Sequence, residues 1–345
     1  MAAFHLLVPA PFDTISGGYI YDRRIVDGMR DAGHDVTVVE LHGRFPLPDA
    51  GAIASAVAAF DALPAQDVAI IDGLALLALH DRLDQLADRR AVGLIHHPTC
   101  LETGLPEAEA EELGTLERAM FPRLARIIVT SPWTADCLVK DFAVPRDRIT
   151  EIVPGTEPAP RSTGLGDAVC RVLSIGTLIP RKGHDVLLRA LAGLSDLDWH
   201  LTIAGSPDRD PVCAHGLSAL TEELGLTARV TFLGELSGAP LAALWASADL
   251  FALATNFEGY GMVIAEALKR GLPVAVCNGG AAGSLVSPET GAVCPVGDVV
   301  QLSKVLRRMI FDQPLRQSLA EAAWQSGQTL PDWPAQARAF AAACA

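Results

Sequence analysis

Paired cysteines, long apolar runs and lysines are what this chain is short of, and each shortage narrows its class. Its seven cysteines (Cys100, Cys137, Cys170, Cys213, Cys277, Cys294 and Cys344) stand singly, with no C-x-x-C among them. That pattern argues against a zinc site or a disulfide framework, so reduced thiols in the cytoplasm are expected. No apolar stretch reaches the ~20 residues that a spanning helix needs. Residues 1–12 lack the charged start and cleavage site of a secretory signal. They read instead as a first core strand, Phe4-His5-Leu6-Leu7-Val8-Pro9. The stretch after that strand, Thr14-Ile15-Ser16-Gly17-Gly18-Tyr19, is not G-x-G-x-x-G. A nicotinamide-dinucleotide fingerprint is therefore missing where it would be looked for first.

Positive charge is scarce as well. The formal net charge is −14, and residues 1–155 hold most of it, with 13 Lys+Arg against 23 Asp+Glu. Such an acidic half repels nucleic acid and anionic lipid surfaces, so the expected partner is soluble and not a membrane lipid. The Glu-rich stretch 107–117 reads as a solvated helix face. The chain has four lysines in all: Lys140, Lys182, Lys269 and Lys304.

What is present is alternation. Short apolar segments at 4–8, 35–39, 68–71, 92–95 and 127–130 are separated by helical stretches, and the pattern returns at 171–175, 200–204, 229–232, 250–254 and 273–276. Continuous apolar strands between helices imply parallel, doubly wound sheets. A chain of 345 residues holds two such domains. Residues 153–164, rich in Pro, Gly and Thr, form the natural linker.

Two segments of the second half carry the chemistry. In Asn256-Phe257-Glu258-Gly259-Tyr260-Gly261-Met262-Val263-Ile264-Ala265-Glu266-Ala267, a strand runs into a glycine loop and then a helix start. Free N–H groups and the positive end of the helix dipole suit an anion there. Glu266, set among Ile264, Ala265, Ala267 and Leu268, calls for hydroxyl donors or a basic partner. Glu258 could equally be a residue favoured by the helix dipole, since two glutamates eight positions apart are common. The other segment, Ser174 to Leu188, places Arg181 and Lys182 side by side between a strand end at Gly176 and a helix near His184. It reads either as an anion-binding loop or as a solvated turn.

Glu258-Gly-Tyr-Gly, followed by Ala265-Glu266-Ala267-Leu268 and Gly271-Leu272-Pro273-Val274, resembles the signature of glycosyltransferase family 4. That resemblance implies an α/β chain of the GT-B fold: two Rossmann-like doubly wound parallel-sheet domains facing across a cleft. It implies an acceptor-side domain over 1–155, a nucleotide-sugar domain over 165–330, and a last helix at 331–345 that crosses back to the first domain. The implied reaction is retaining, metal-independent transfer of a hexose from a UDP- or GDP-linked sugar to a hydroxyl acceptor. No cofactor is implied besides the co-substrate.

By the same resemblance, Arg181 and Lys182 neutralise the diphosphate, and Glu258 holds a sugar hydroxyl. The backbone of Gly259, Tyr260 and Gly261 approaches the sugar, Met262 and Val263 offer N–H groups to phosphate, and Glu266 binds the ribose. Leu236 frames the base, while Gly17 and Gly18 form a glycine loop near the donor. Many relatives carry arginine where this chain has Thr177, which leaves the number of phosphate cations open. Relatives also place a histidine after the fourth strand, as a catalytic residue near the donor sugar's C6 hydroxyl and the reacting bond. Here Leu94-Ile95-His96-His97 offers His97 first and His96 second, with Glu102 and Thr103 as acceptor contacts. Asp208-Arg209-Asp210 looks like the metal motif of the other glycosyltransferase architecture, but its Ser- and Pro-flanked setting reads as a surface loop. A nucleotide-sugar epimerase and a non-catalytic nucleotide-sugar-binding subunit remain as alternatives.

Overall fold

The computed structural model describes residues 3–89, 91–102 and 104–344. They form two compact units: Met1–Gly155 with Pro331–Ala345, and Thr156–Leu330. Each unit is built on a six-stranded, wholly parallel sheet.

In the first unit the strands are β1 (Phe4–Pro9), β2 (Val36–Leu41), β3 (Val68–Asp72), β4 (Val92–Ile95), β5 (Arg126–Val129) and β6 (Ile149–Glu151). Their order across the sheet is β2-β1-β3-β4-β5-β6. The apolar runs form strands because helices cover both faces. Leu7, Ile71, Ile95 and Val129, one from each of four strands, are completely buried in one core. Sequence alternation locates β1 to β5 within two residues at either end. It misses β6, whose three residues Ile-Thr-Glu are too short and too polar to announce a strand. The C-terminal helix Trp333–Cys344 packs on helix Gly17–Asp31. Tyr21 and Trp333 meet edge to face at 5.9 Å, and the Gln336 amide donates to the Val153 carbonyl.

In the second unit the strands are β7 (Cys170–Ile175), β8 (Trp199–Ala204), β9 (Val230–Phe232), β10 (Leu250–Leu253), β11 (Val274–Cys277) and β12 (Gly291–Cys294). Their order is β12-β11-β10-β7-β8-β9. β12, another short edge strand, is the one that sequence alternation misses. This is the doubly wound order in which the first and fourth strands of the unit lie side by side. The direction of winding reverses between β7 and β10, and ligands bind beyond the carboxyl ends of strands at such a switch point. The first-unit sheet reverses between β1 and β3 in the same way. No helix among the described residues is long and apolar enough to cross a membrane.

Candidate functional site

At the switch point of the second unit, two loops leave adjacent strands and are bonded to each other. After β7 the chain passes through Gly176 and Thr177 into a tight turn, Pro180–Lys182, and then helix His184–Ala192. After β10 it passes through Thr255 to Gly261 into helix Met262–Lys269. The Asn256 amide donates to the Arg181 carbonyl at 2.7 Å, and the Asn256 side chain donates to the Pro180 carbonyl at 2.9 Å. In return, the Arg181 guanidinium donates to the Phe257 carbonyl at 2.9 Å.

Gly183 makes this approach possible. Its φ is +61°, and a Cβ built on it would lie 2.0 Å from the Ala254 carbonyl oxygen. Only glycine fits both the left-handed backbone and the contact. A third loop joins from β11. Glu258 donates its N–H to the Gly279 carbonyl and accepts from the Ala281 N–H, a single parallel bridge that fixes the Glu258 backbone.

Charge collects where these loops meet. The Lys182 ammonium lies 2.6 Å from Glu258 Oε1, and Arg181 lies 3.6 Å from Oε2. Thr255 Oγ1, fully buried, lies 3.1 Å from the same Glu258 Oε1 and 3.1 Å from the Arg181 carbonyl. Burial acts to raise the Glu258 carboxyl, but Lys182 and Arg181 together hold it below its ordinary value. Glu258 is therefore a buried, ionised carboxylate paired with cations from a distant part of the sequence, Lys182 being 76 residues away. Beneath them, His184 Nε2 donates to the Gly176 carbonyl, 3.2 Å away, and burial lowers the ring's pKa to about 4. The ring is neutral, so the loop's positive charge comes from Arg181 and Lys182.

Helix Met262–Lys269 starts at Gly261 (φ +98°) without a side-chain cap and without an acid in its first turn. Its leading N–H groups thus remain available to an anion. Met262 and Val263 are half-buried at this start, and Gly259 is half-buried just before it. Tyr260 is buried, and desolvation lifts its phenol to about 12. Glu266 is half-buried one turn in. No side chain among the described residues makes an ion pair or hydrogen bond with its carboxylate, although the Arg270 guanidinium donates to its backbone carbonyl. Burial raises the Glu266 carboxyl above its ordinary range, Arg270 acts against that, and Glu157 reinforces it. Leu236, half-buried, lies in the turn after β9, and the Gly234 carbonyl there accepts from Gly205 N–H at 2.7 Å. Thr177 is half-buried, and its carbonyl accepts from Ile179 N–H.

The first unit gathers a different group. His96, directly after β4, turns inward: Nε2 lies 3.1 Å from Asp22 Oδ1 and 3.5 Å from Asp72 Oδ2. Both carboxylates are 2% exposed. Burial alone would lower the His96 pKa, but the two carboxylates raise it to about 10, so the ring is an imidazolium at neutral pH. Asp22 is pushed up by burial to about 6, against the opposing pull of His96. These three side chains form an ion-paired trio that anchors the start of helix Gly17–Asp31. Gly18 lies against the His96 ring, where a Cβ would sit 3.3 Å from Cδ2. Gly17 and Gly18 open the helix itself, behind a Ser16 cap.

His97 points elsewhere, with Nε2 3.2 Å from Glu102 Oε2. Thr103 lies outside the described residues. The turn Thr99–Leu101 between His97 and Glu102 is held from below by Glu117, whose carboxylate accepts from the Thr99 and Cys100 N–H groups. Glu117 is 1% exposed, so the acid run 107–117 is not solvated to its end. Asp208 and Asp210 serve their own loop: Asp210 caps helix Pro211–Glu223 through Cys213 N–H, and Asp208 meets Ser206.

The structure thus brings Arg181, Lys182, Glu258 and the helix starting at Met262 to one switch point. Sequence reasoning missed Thr255, Asp22, Asp72 and Glu117. A threonine or aspartate directly after an apolar strand was the available signal for Thr255 and Asp72.

Residues 158–326 match the family Glycosyl transferases group 1. That segment lies within the second unit. A D-inositol 3-phosphate glycosyltransferase from Corynebacterium diphtheriae is 27% identical over 233 residues, which cover 62% of this chain and 55% of that protein. Its counterpart from Mycobacterium sp. (strain JLS) is 32% identical over 233 residues, covering 61% and 52%. The chain spans about half the length of these curated relatives. Among solved structures, sucrose-phosphate synthase from Thermosynechococcus elongatus superposes with a TM-score of 0.82 at 20% identity, covering 99% of this chain and 98% of that one. Anabaena HepE in complex with UDP-glucose superposes with a TM-score of 0.78 at 18% identity, covering 99% of each. At such identities the likeness is one of fold, and the fold is GT-B.

Proposed function

We propose that the chain is a retaining glycosyltransferase that moves a hexose from a nucleotide-diphospho-sugar to a soluble hydroxyl acceptor, without a metal. The observation that carries this reading is the meeting of Arg181 and Lys182 with Glu258 at the carboxyl ends of β7 and β10, beside the uncapped helix at Met262. The two cations and the helix N–H groups suit a diphosphate, whose charge grows as the sugar–phosphate bond breaks. Glu258 takes a sugar hydroxyl, with Gly259, Tyr260 and Gly261 offering backbone beside it. Glu266, whose carboxylate no side chain among the described residues holds, takes the ribose hydroxyls, and Leu236 lies against the base.

In this reading the protein supplies positioning and charge, and the leaving phosphate accepts the acceptor's proton on the same face. UDP-glucose is the donor to try first, because the Anabaena neighbour's structure holds it. GDP-linked hexoses come second. The first unit handles the acceptor, with His97 and Glu102 as its paired polar groups. Its net charge of −10 favours an uncharged hydroxyl acceptor over an anionic one. NMR of the product tests the reaction class. An α-linked donor should give an α-linked product, and an inverted anomer would refute the same-face mechanism.

A further inference from the structure

The cations of the proposed diphosphate site are not waiting free. Lys182 and Arg181 are already paired with Glu258, a carboxylate that is 8% exposed and closed in by Thr255. Its backbone is fixed by the bridge to Gly280, and its carboxylate is held by Lys182 and Thr255. We propose that Glu258 is a built-in competitor for the phosphate cations, one that makes the site discriminate a sugar-linked diphosphate from the bare nucleoside diphosphate. The inference rests on the donor-site reading above and deepens it.

The discrimination is electrostatic. A diphosphate that draws Lys182 and Arg181 towards itself leaves Glu258 buried with less counter-charge, and an uncompensated buried carboxylate is strongly unfavourable. A donor carrying its sugar offsets that loss, because sugar hydroxyls donate hydrogen bonds to the carboxylate. The bare nucleoside diphosphate, the product of transfer, has no hydroxyl to place there. It therefore meets a site whose cations are partly claimed and whose carboxylate repels it. The same pair that steadies the two loops thus weakens product retention while sparing donor binding. Thr255 sharpens the effect: its hydroxyl satisfies only one oxygen of Glu258, so the other depends on Arg181 or on a ligand.

The test is calorimetric titration of UDP and UDP-glucose, with GDP and a GDP-hexose in parallel, into the full chain and its Glu258→Gln variant. Glutamine keeps the shape and removes the charge. The variant should bind the bare diphosphate about tenfold more tightly than wild type, and UDP-glucose should lose its advantage over UDP. Equal or weaker binding of the bare diphosphate by the variant would overturn the inference while leaving the donor site standing. Failure of wild type and variant to bind any of the four nucleotides would instead remove the donor-site reading itself, and the inference with it. Should Glu258→Gln fail to fold, Glu258→Asp keeps the question open to refutation. Its shorter carboxylate withdraws from Lys182, so the same tightening of the bare diphosphate is expected, and its absence counts against the inference.

Discussion

Replacing Lys182 with methionine is expected to lower sugar transfer about 10²–10³-fold and to destabilise the second unit by about 3 kcal/mol. Both effects come from one atom. The Lys182 ammonium, 2.6 Å from Glu258, is the nearest counter-charge to a buried carboxylate, and among the described residues Arg181 at 3.6 Å would remain. In transfer, the proposed role of the same ammonium is to meet charge developing on the leaving diphosphate. The two effects separate in a double variant. Adding Glu258→Gln to Lys182→Met removes the orphaned charge, so melting temperature should recover most of its loss while transfer does not. Recovery of both would mean that Lys182 acts through stability alone. Recovery of neither would mean that the pair is not the coupled unit the geometry describes.

Gly183→Ala should destabilise the second unit by about 4 kcal/mol or more. Two penalties coincide there. The residue sits at φ +61°, a left-handed backbone that costs an L-residue about 1–2 kcal/mol. Its Cβ would also fall 2.0 Å from a carbonyl oxygen of Ala254, which belongs to the backbone directly after β10 and cannot rotate aside. Relief requires the Arg181–Lys182 turn to lift away from the β10 loop, which breaks the bonds from Asn256 and Thr255 to the Arg181 carbonyl. Gly225→Ala is the control. It also has positive φ (+69°) but open space around its Cβ, so only the conformational penalty of about 1 kcal/mol applies. Chemical denaturation of the two variants reads the difference, and equal losses would show that the contact at Ala254 carries no weight.

Much of this was legible in the residues, for reasons that also explain the gaps. Apolar runs such as Leu6-Leu7-Val8 and Leu250-Phe251-Ala252-Leu253 announce buried parallel strands, because both faces of the sheet are covered by helices. Edge strands do not announce themselves: Ile149–Glu151 and Gly291–Cys294 are short and half solvated, and periodicity has little to act on. In the site, the glycine turn, the two cations and the helix start can each be read locally. Their meeting cannot, since Lys182 and Glu258 are 76 residues apart and only the adjacency of β7 and β10 joins them.

The histidine pair shows the same boundary. Alternation says that one ring turns in and one turns out, but not that Asp22 and Asp72 wait for the inner one. In the sequence Glu117 reads as a surface acid because its neighbours are acids. Its burial follows from the two N–H groups of the Thr99 turn, which lie 17 and 18 residues earlier.

The central claim is that the second unit holds a nucleotide-diphospho-sugar between the Arg181–Lys182 turn and the helix bearing Glu266. Its most direct test is the melting temperature of the full chain across a panel of UDP- and GDP-linked sugars, on wild type and on Glu266→Ala. A shift of several degrees with one donor, lost in the variant, is the predicted result. No shift with any donor, or an equal shift in Glu266→Ala, would contradict the site as described.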